Sequence, residues 1–167
     1  AGKFNARYGE VFPIPTYRLD KESKVPGVDG QKMSKSYGNT IDIFAEGKAL
    51  QKVVMGVVTD SLPVEAPKDP DNNHLFTLFT LFATEEEKAA LAGRYRAGGL
   101  GYGEVKKMLL EKINAYFGPF RQKRKELAAN PDYVESVLKR GAEKARAEAR
   151  KTMALVREAV GMKPAPL

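Results

Sequence analysis

The sequence predicts a mainly α-helical protein, in which a helical bundle follows the end part of an α/β domain. Three observations favour this fold class. Apolar residues recur at helical spacing through most of the chain after residue 48, capping signals separate the helices, and the first 44 residues instead contain prolines and short apolar runs. Hydrophobic residues make up 43% of the 167 positions, which suffices for a core.

The first 44 residues predict short elements. Residues 4–8 finish a helix, and residues 11–15 contain too many prolines for a central strand, so they favour an edge or extended segment. Residues 17–19 and 24–25 predict two short strands on either side of a charged turn at 20–23. We therefore expect the remains of an α/β domain here.

Helical patterns begin after this segment. Residues 48–57 place leucine and valine side chains at helical spacing, and a polar, proline-rich link follows over 59–73. Residues 75–82 are apolar on almost every face, which is typical of a helix buried among others.

The next two helices are marked by their ends. Thr84 and Glu87 form a capping-box pattern, and Gly98 follows the helix that they start. A further helix begins at about Gly103, and we expect Pro119 to break or bend it.

The last helix is predicted to open at Asn130 and Pro131, a cap residue followed by proline at the first helical position. It has two distinct faces. One is a stripe of small and apolar residues that predicts a packing face: Val134, Val137, Leu138, Gly141, Ala142, Ala145, Ala149, Met153, Val156 and Val160. The other carries a basic ridge, which consists of Lys139, Arg146, Arg150 and Arg157.

Positive charge is concentrated in these C-terminal helices. The chain has a net charge of +7, and basic and acidic residues balance through Gly99. The whole excess therefore lies beyond that residue, which favours a polyanion as partner, although a solvated helix face accounts equally well for any single basic residue.

Residues 32–36, Lys-Met-Ser-Lys-Ser, place two primary amines three residues apart among small hydroxyl side chains. Glycines at 27, 30 and 38 permit the backbone of such a loop to move. Two flexible cations in one loop suit the spreading charge of a triphosphate under attack, so the sequence predicts a phosphate-binding lid. A solvated lysine-serine turn or a phosphorylation site is the alternative.

The run at 25–40, VPGVDGQKMSKSYGNT, resembles the second signature of class I aminoacyl-tRNA synthetases. Segments at 59–61, 67–73, 101–104 and 140–146 are similar to the tryptophanyl members of that class. The resemblance implies three parts: the C-terminal remnant of a Rossmann-like catalytic domain at 1–44, a connection at 45–73, and a helical bundle of the anticodon-binding type at 74–167.

It also implies roles for the loop. Lys32 and Lys35 would be catalytic, contacting the ATP phosphates and stabilising the leaving pyrophosphate as the carboxylate of tryptophan attacks. The backbone at Met33 would lie near the adenine or ribose, and Ser34 and Ser36 would hold the loop or add hydrogen bonds. Mg²⁺ would accompany ATP, since no carboxylate cluster suggests a dedicated metal site.

For the helical part, the resemblance implies binding to tRNA(Trp), with Lys139, Arg146, Arg150 and Arg157 at phosphates. It further implies a homodimer in the intact enzyme. The chain has no cysteine and no apolar run of roughly 20 residues, so we expect a cytoplasmic protein without membrane segments.

The first signature of this class contains two histidines, whereas this chain has one, His74, at a predicted helix start. We therefore expect a C-terminal fragment that does not form the adenylate by itself. Three alternatives stay open. The first is another class I synthetase, with the tyrosyl enzyme the leading candidate. The second is a non-catalytic tRNA-binding domain derived from a synthetase, and the third is a basic helical adaptor with a chance loop match.

Overall fold

The computed structural model describes residues 1–19 and 23–162. It is mainly helical, as predicted. The helices are α1 (Gly2–Tyr8), α2 (Gly47–Met55), α3 (His74–Thr80), α4 (Glu85–Ala97), α5 (Tyr102–Ala128) and α6 (Pro131–Ala159), with a 3₁₀ helix at Lys35–Tyr37.

The strands predicted at 17–19 and 24–25 are wrong. Across the described ranges the structure contains no strand, and β-type pairing is confined to one antiparallel bridge between Pro26 and Lys32. A strand needs several successive backbone hydrogen bonds to a neighbouring segment, and among the described residues these two segments make one, from the Met33 amide to the Val25 carbonyl. Most of the predicted charged turn, residues 20–22, lies outside those residues.

Contacts divide the described residues into two units. One contains residues 1–18 and the chain from 125 onward, and the other contains residues 19–124. The buried apolar core belongs to the second unit and draws on α2 to α5 and on the segments that follow α2 and α4: Leu50, Val54, Val57, Leu75, Leu78, Phe79, Leu91, Tyr95, Leu100, Val105, Leu109 and Ile113. The functional boundaries at residues 44 and 73 stay a prediction.

The predicted caps are confirmed. The Thr84 hydroxyl accepts from the Glu87 amide, and the Glu87 carboxylate accepts from the Thr84 amide at 2.9 Å. Asn130 accepts from the Tyr133 amide and is followed by Pro131 in the first turn of α6. These bonds occupy backbone donors that have no partner within the helix.

Pro119 does not end α5, which continues from Tyr102 to Ala128. Proline removes one backbone donor and leaves the other helical bonds of a 27-residue helix in place. A break at Pro119 is therefore wrong, and a bend there stays a prediction.

The apolar stripe of α6 packs less than predicted, because none of the residues in this helix is buried. Val134, Ala142, Val156 and Val160 are half-buried, while Val137, Leu138 and Met153 are exposed.

The link between α2 and α3 is organised around Lys68, which is 4% exposed. Its ammonium group donates to the carbonyl oxygens of Pro63, Val64 and Ala66 at 3.0, 3.2 and 3.0 Å. It also lies 5.4 Å from the ring centre of Tyr102, at a distance suited to cation–π attraction. A segment without helix or strand thus obtains donors for its carbonyls from one side chain.

Replacing Lys68 by methionine should lower the free energy of unfolding by about 1–3 kcal/mol, because three carbonyl oxygens lose their shared donor. Replacing a buried charged side chain by an apolar one often leaves the free energy of unfolding unchanged, but here the three carbonyl acceptors would remain without their donor. Urea denaturation followed by circular dichroism measures the change, with exposed Lys107→Met as control. Equal stability of the two variants would show that the hydrogen bonds of Lys68 do not stabilise the link.

Candidate phosphate-binding loop

The loop at residues 32–38 begins and ends in fixed backbone. At its start the Met33 amide donates to the Val25 carbonyl at 2.9 Å, and the Gly27 amide donates to the Gln31 carbonyl at 2.6 Å. At its end, the 3₁₀ helix Lys35–Tyr37 closes on Gly38, whose φ of 67° favours glycine. The two lysines are therefore carried on a short, defined segment.

Asn39 holds this segment from within. Its side-chain oxygen accepts from the Ser34 amide at 2.8 Å, and its side-chain nitrogen donates to the Lys32 carbonyl at 3.2 Å. The same nitrogen donates to a carboxylate oxygen of Asp29 at 2.8 Å. Asn39 is 2% exposed, so the amide end of each bond is shielded from water. One amide thus joins the start of the loop to the turn before it.

Gly27 makes this arrangement possible. The Val28 amide donates to the Asn39 carbonyl at 3.0 Å, which brings the turn directly against Asn39. A Cβ atom at Gly27 would collide with the Asn39 side chain and would lie 2.8 Å from the backbone carbonyl oxygen of Asn39. Glycine is required at 27 because of this close approach.

Asp29 is the ionised end of the network. Hydrogen bonds from the Asn39 side chain and the Gln31 amide lower the pKa of its carboxyl group, and His74 lowers it further. His74, the first residue of α3, faces Gly30, where an added Cβ would lie 3.0 Å from the imidazole Nδ1. The single histidine of the chain therefore lies against the turn that precedes the loop.

The five predicted loop residues divide into two groups. Lys32, Lys35 and Ser36 are exposed, so both amines are available to a ligand. Met33 is half-buried against the apolar core, and the hydroxyl oxygens of Ser34 and Ser36 are 2.8 Å apart. The loop thus has an inward apolar anchor and an outward face of cations and a hydroxyl.

The chain after the loop is fixed by α5. Arg121, which is buried, donates through Nε to the Ile43 carbonyl at 2.8 Å and through Nη1 to the Asn114 side chain at 2.7 Å. The Arg124 guanidinium lies 4.4 Å from the ring centre of Phe44.

The basic ridge lies on α6 and belongs to the other unit. Its residues are spaced by seven, four and seven positions, so in a continuous α-helix they form one line about 27 Å long. All four are exposed, and the ion pair between Lys151 and Glu148 involves none of them. The structure therefore brings the four predicted residues onto one exposed face.

In residues 1–19 and 23–162, no group of three or more histidine, cysteine, aspartate or glutamate side chains is arranged to hold a metal ion. The helices of the same ranges include none that is long and apolar enough to cross a membrane.

Comparison with known proteins identifies the family. The model of the family described as tRNA synthetases class I (W and Y) matches residues 1–118. The chain belongs to this family. The resemblance seen in the signature loop is thereby confirmed, and a chance match in an unrelated adaptor is excluded.

The synthetase relatives are tryptophan enzymes. The chain is 48% identical to the tryptophan–tRNA ligase of Rhodopirellula baltica, over 98% of this chain and 51% of the relative. It is also 48% identical to the tryptophan–tRNA ligase of Fusobacterium nucleatum, over 97% of this chain and 50% of the relative. The chain thus spans about half the length of the curated relatives it matches.

A solved synthetase has the same fold over the shared part. The tryptophanyl-tRNA synthetase of Campylobacter jejuni, complexed with ADP and tryptophan, is 44% identical and superposes with a TM-score of 0.78. The match covers 97% of this chain and 51% of that structure.

Sequence reasoning missed Asn39, Asp29 and His74 as parts of the loop's support. A local signal existed for Asp29, because an aspartate before glycine commonly caps its own turn. For Asn39 the signal is weaker, since its partners lie five to ten residues away.

Changing Asn39 to alanine should loosen the loop without unfolding the chain. The Ser34 amide loses its acceptor, so we expect its hydrogen exchange to quicken by about tenfold or more. The matched control is Asn72→Ala, which removes an exposed asparagine that donates to Asp69. Nuclear magnetic resonance of both variants measures the exchange, and unchanged protection of Ser34 in the Asn39 variant would contradict this assignment.

Proposed function

We propose that this chain supplies the phosphate-binding loop and the tRNA-binding helices of a tryptophan–tRNA ligase. One observation carries the proposal: two exposed lysines stand on a loop fixed by a buried amide, in a chain 44% identical to a synthetase solved with ADP and tryptophan. The proposal covers ATP, tryptophan and tRNA(Trp) as ligands of the whole protein.

In the proposed reaction the carboxylate of tryptophan attacks the α-phosphorus of ATP. The bond from that phosphorus to the bridging oxygen breaks, pyrophosphate leaves, and tryptophanyl-adenylate forms. Negative charge spreads over the phosphate oxygens during the displacement, and Lys32 and Lys35 would stabilise it there. Such reactions depend mainly on positioning and charge stabilisation, which suits a loop with a fixed backbone and two cations.

The remaining loop residues would position ATP. By the family resemblance the backbone at Met33 would lie near the adenine or ribose, while the Met33 side chain anchors the segment to the core. Ser34 and Ser36 would maintain the loop through their mutual hydrogen bond. Magnesium would enter with ATP as part of the substrate.

The second half-reaction transfers the activated tryptophan to tRNA. The ridge of Lys139, Arg146, Arg150 and Arg157 would contact tRNA phosphates, because a line of exposed cations attracts a polyanionic backbone. Family membership also supports a cytoplasmic homodimer, which we include in the proposal together with the three-part division at residues 44 and 73.

Changing Lys35 to alanine in the full-length protein should slow adenylate formation by about 10²–10³-fold while leaving tryptophan affinity nearly unchanged. The reason is that the lysine would act on charge that develops in the transition state. Pyrophosphate exchange measures the rate and equilibrium dialysis measures the affinity, with exposed Lys48→Ala as control. Equal losses of rate and affinity would remove the transition-state role.

Reversing two ridge charges, Arg146→Glu with Arg150→Glu, should weaken tRNA binding and spare adenylate formation. Each lost phosphate contact should make the negative slope of log K against log salt shallower by about 0.7–0.9. The matched control is Arg140→Glu with Lys144→Glu, which changes the net charge equally on another face of α6. If the two double variants weaken tRNA binding equally, the loss reflects the net charge of the protein and the ridge does not contact the tRNA phosphates.

A further inference from the structure

Four aromatic rings form a cluster at the middle of α5. Phe82 contacts Tyr116 and Phe117, with ring centres 5.4 and 5.7 Å apart. Tyr116 and Phe120 are neighbours at 5.9 Å, one helical turn apart. Phe82 and Phe117 are half-buried, whereas Tyr116 and Phe120 are 53% and 55% exposed. The cluster therefore has a packed base and an exposed aromatic face, which we call the ring platform.

Basic residues surround the ring platform. The row formed by every fourth residue of α5 reads Lys112, Tyr116, Phe120 and Arg124, so a cation lies one turn before and one turn after the rings. Between Glu111 and Glu126 the sequence contains five basic residues and no acidic one.

The two cations of the row are differently engaged. Lys112 donates to both carboxylate oxygens of Glu87 at 2.5 Å. Arg124 lies over Phe44, a partly exposed ring in the chain that follows the signature loop. Arg121, next to this row, is buried with Nη2 lacking a hydrogen-bond partner among the described residues. Within the row, Lys112 is thus paired with a carboxylate, whereas Arg124 lies over an aromatic ring.

Exposed rings among cations fit an unpaired nucleic-acid strand better than the other partners. Bases without pairing partners expose faces that stack on aromatic side chains, and their phosphates are attracted to the neighbouring cations. A duplex offers the phosphates but keeps its base faces stacked within the helix. An acid-free stretch of this length also favours a polyanion over a protein of mixed charge.

We propose that the ring platform binds an unpaired segment of RNA, with bases stacked on Tyr116 and Phe120 and a phosphate at Arg124. The proposal rests on the proposed function in one respect, namely that the RNA is a tRNA. It adds a second kind of contact, to bases, on α5, whereas the ridge on α6 would contact phosphates.

A fluorescent reporter tests stacking directly. The chain contains no tryptophan, so Phe120→Trp introduces a single indole at the ring platform. A ten-nucleotide oligouridylate should quench its emission at saturation, and an RNA duplex of the same length should not. Tyr133→Trp, at a site in α6 that is also half exposed, is the control and should respond equally little to both RNAs. Quenching of both reporters to the same extent, or of neither, would overturn the proposal.

Affinity provides the second test. Replacing Tyr116 and Phe120 by leucine keeps apolar side chains and removes the stacking faces, so affinity for the oligouridylate should fall roughly tenfold. Duplex affinity should stay within twofold. Tyr133→Leu is the matched control and should change neither affinity, and circular dichroism verifies that α5 remains helical in each variant.

The outcomes separate this proposal from the preceding one. If the double leucine variant retains the oligouridylate affinity while the chain still binds tRNA in a salt-dependent manner, the ring platform is not an RNA contact and the proposed function stands. If the unchanged chain binds neither tRNA nor the oligouridylate at moderate salt, both are overturned.

Discussion

The hydrogen bonds of one buried amide determine the geometry of the signature loop. Asn39 bonds to Asp29, Lys32 and Ser34, and so fixes the turn and the start of the loop relative to each other. A lysine side chain is long and flexible, so its position is defined only as well as the backbone that carries it. Because the amide is shielded from water, its bonds give that definition without help from a bound ligand. The exposure of Lys32 and Lys35 is compatible with a specific role for this reason.

The apolar side of the loop is less tightly fixed. Met33 contacts the core beside a cavity of about 200 Å³ that Leu78, Phe82 and Phe117 also line. Atoms at a cavity lack neighbours on one side, so a small displacement of Met33 loses few contacts. The loop is therefore held by a network of hydrogen bonds on one side and by an apolar contact beside a cavity on the other.

How much could be predicted depended on whether the signal was local. Thr84 with Glu87 and Asn130 with Pro131 mark their helix starts because a cap and its partners lie within three residues. Lys32 and Lys35 were found for the same reason, through a five-residue motif. The strands at 17–19 and 24–25 were predicted wrongly because pairing depends on a neighbour that a short apolar run does not specify. Lys68 and Asn39 were missed because their roles depend on a tight turn of chain around each, which the fold creates.

The basic excess of the chain divides into surfaces of different chemistry. The ridge on α6 consists of cations in one line, while the ring platform on α5 combines exposed aromatic faces with cations. Phosphate contacts release counterions and weaken steeply with salt, whereas stacking depends on base faces and much less on ionic strength. A tRNA presents both paired stems and unpaired bases, so a protein that binds phosphates through one surface and bases through another would retain part of its affinity as salt rises. Net charge by itself would not give that behaviour, because every contact would then weaken together.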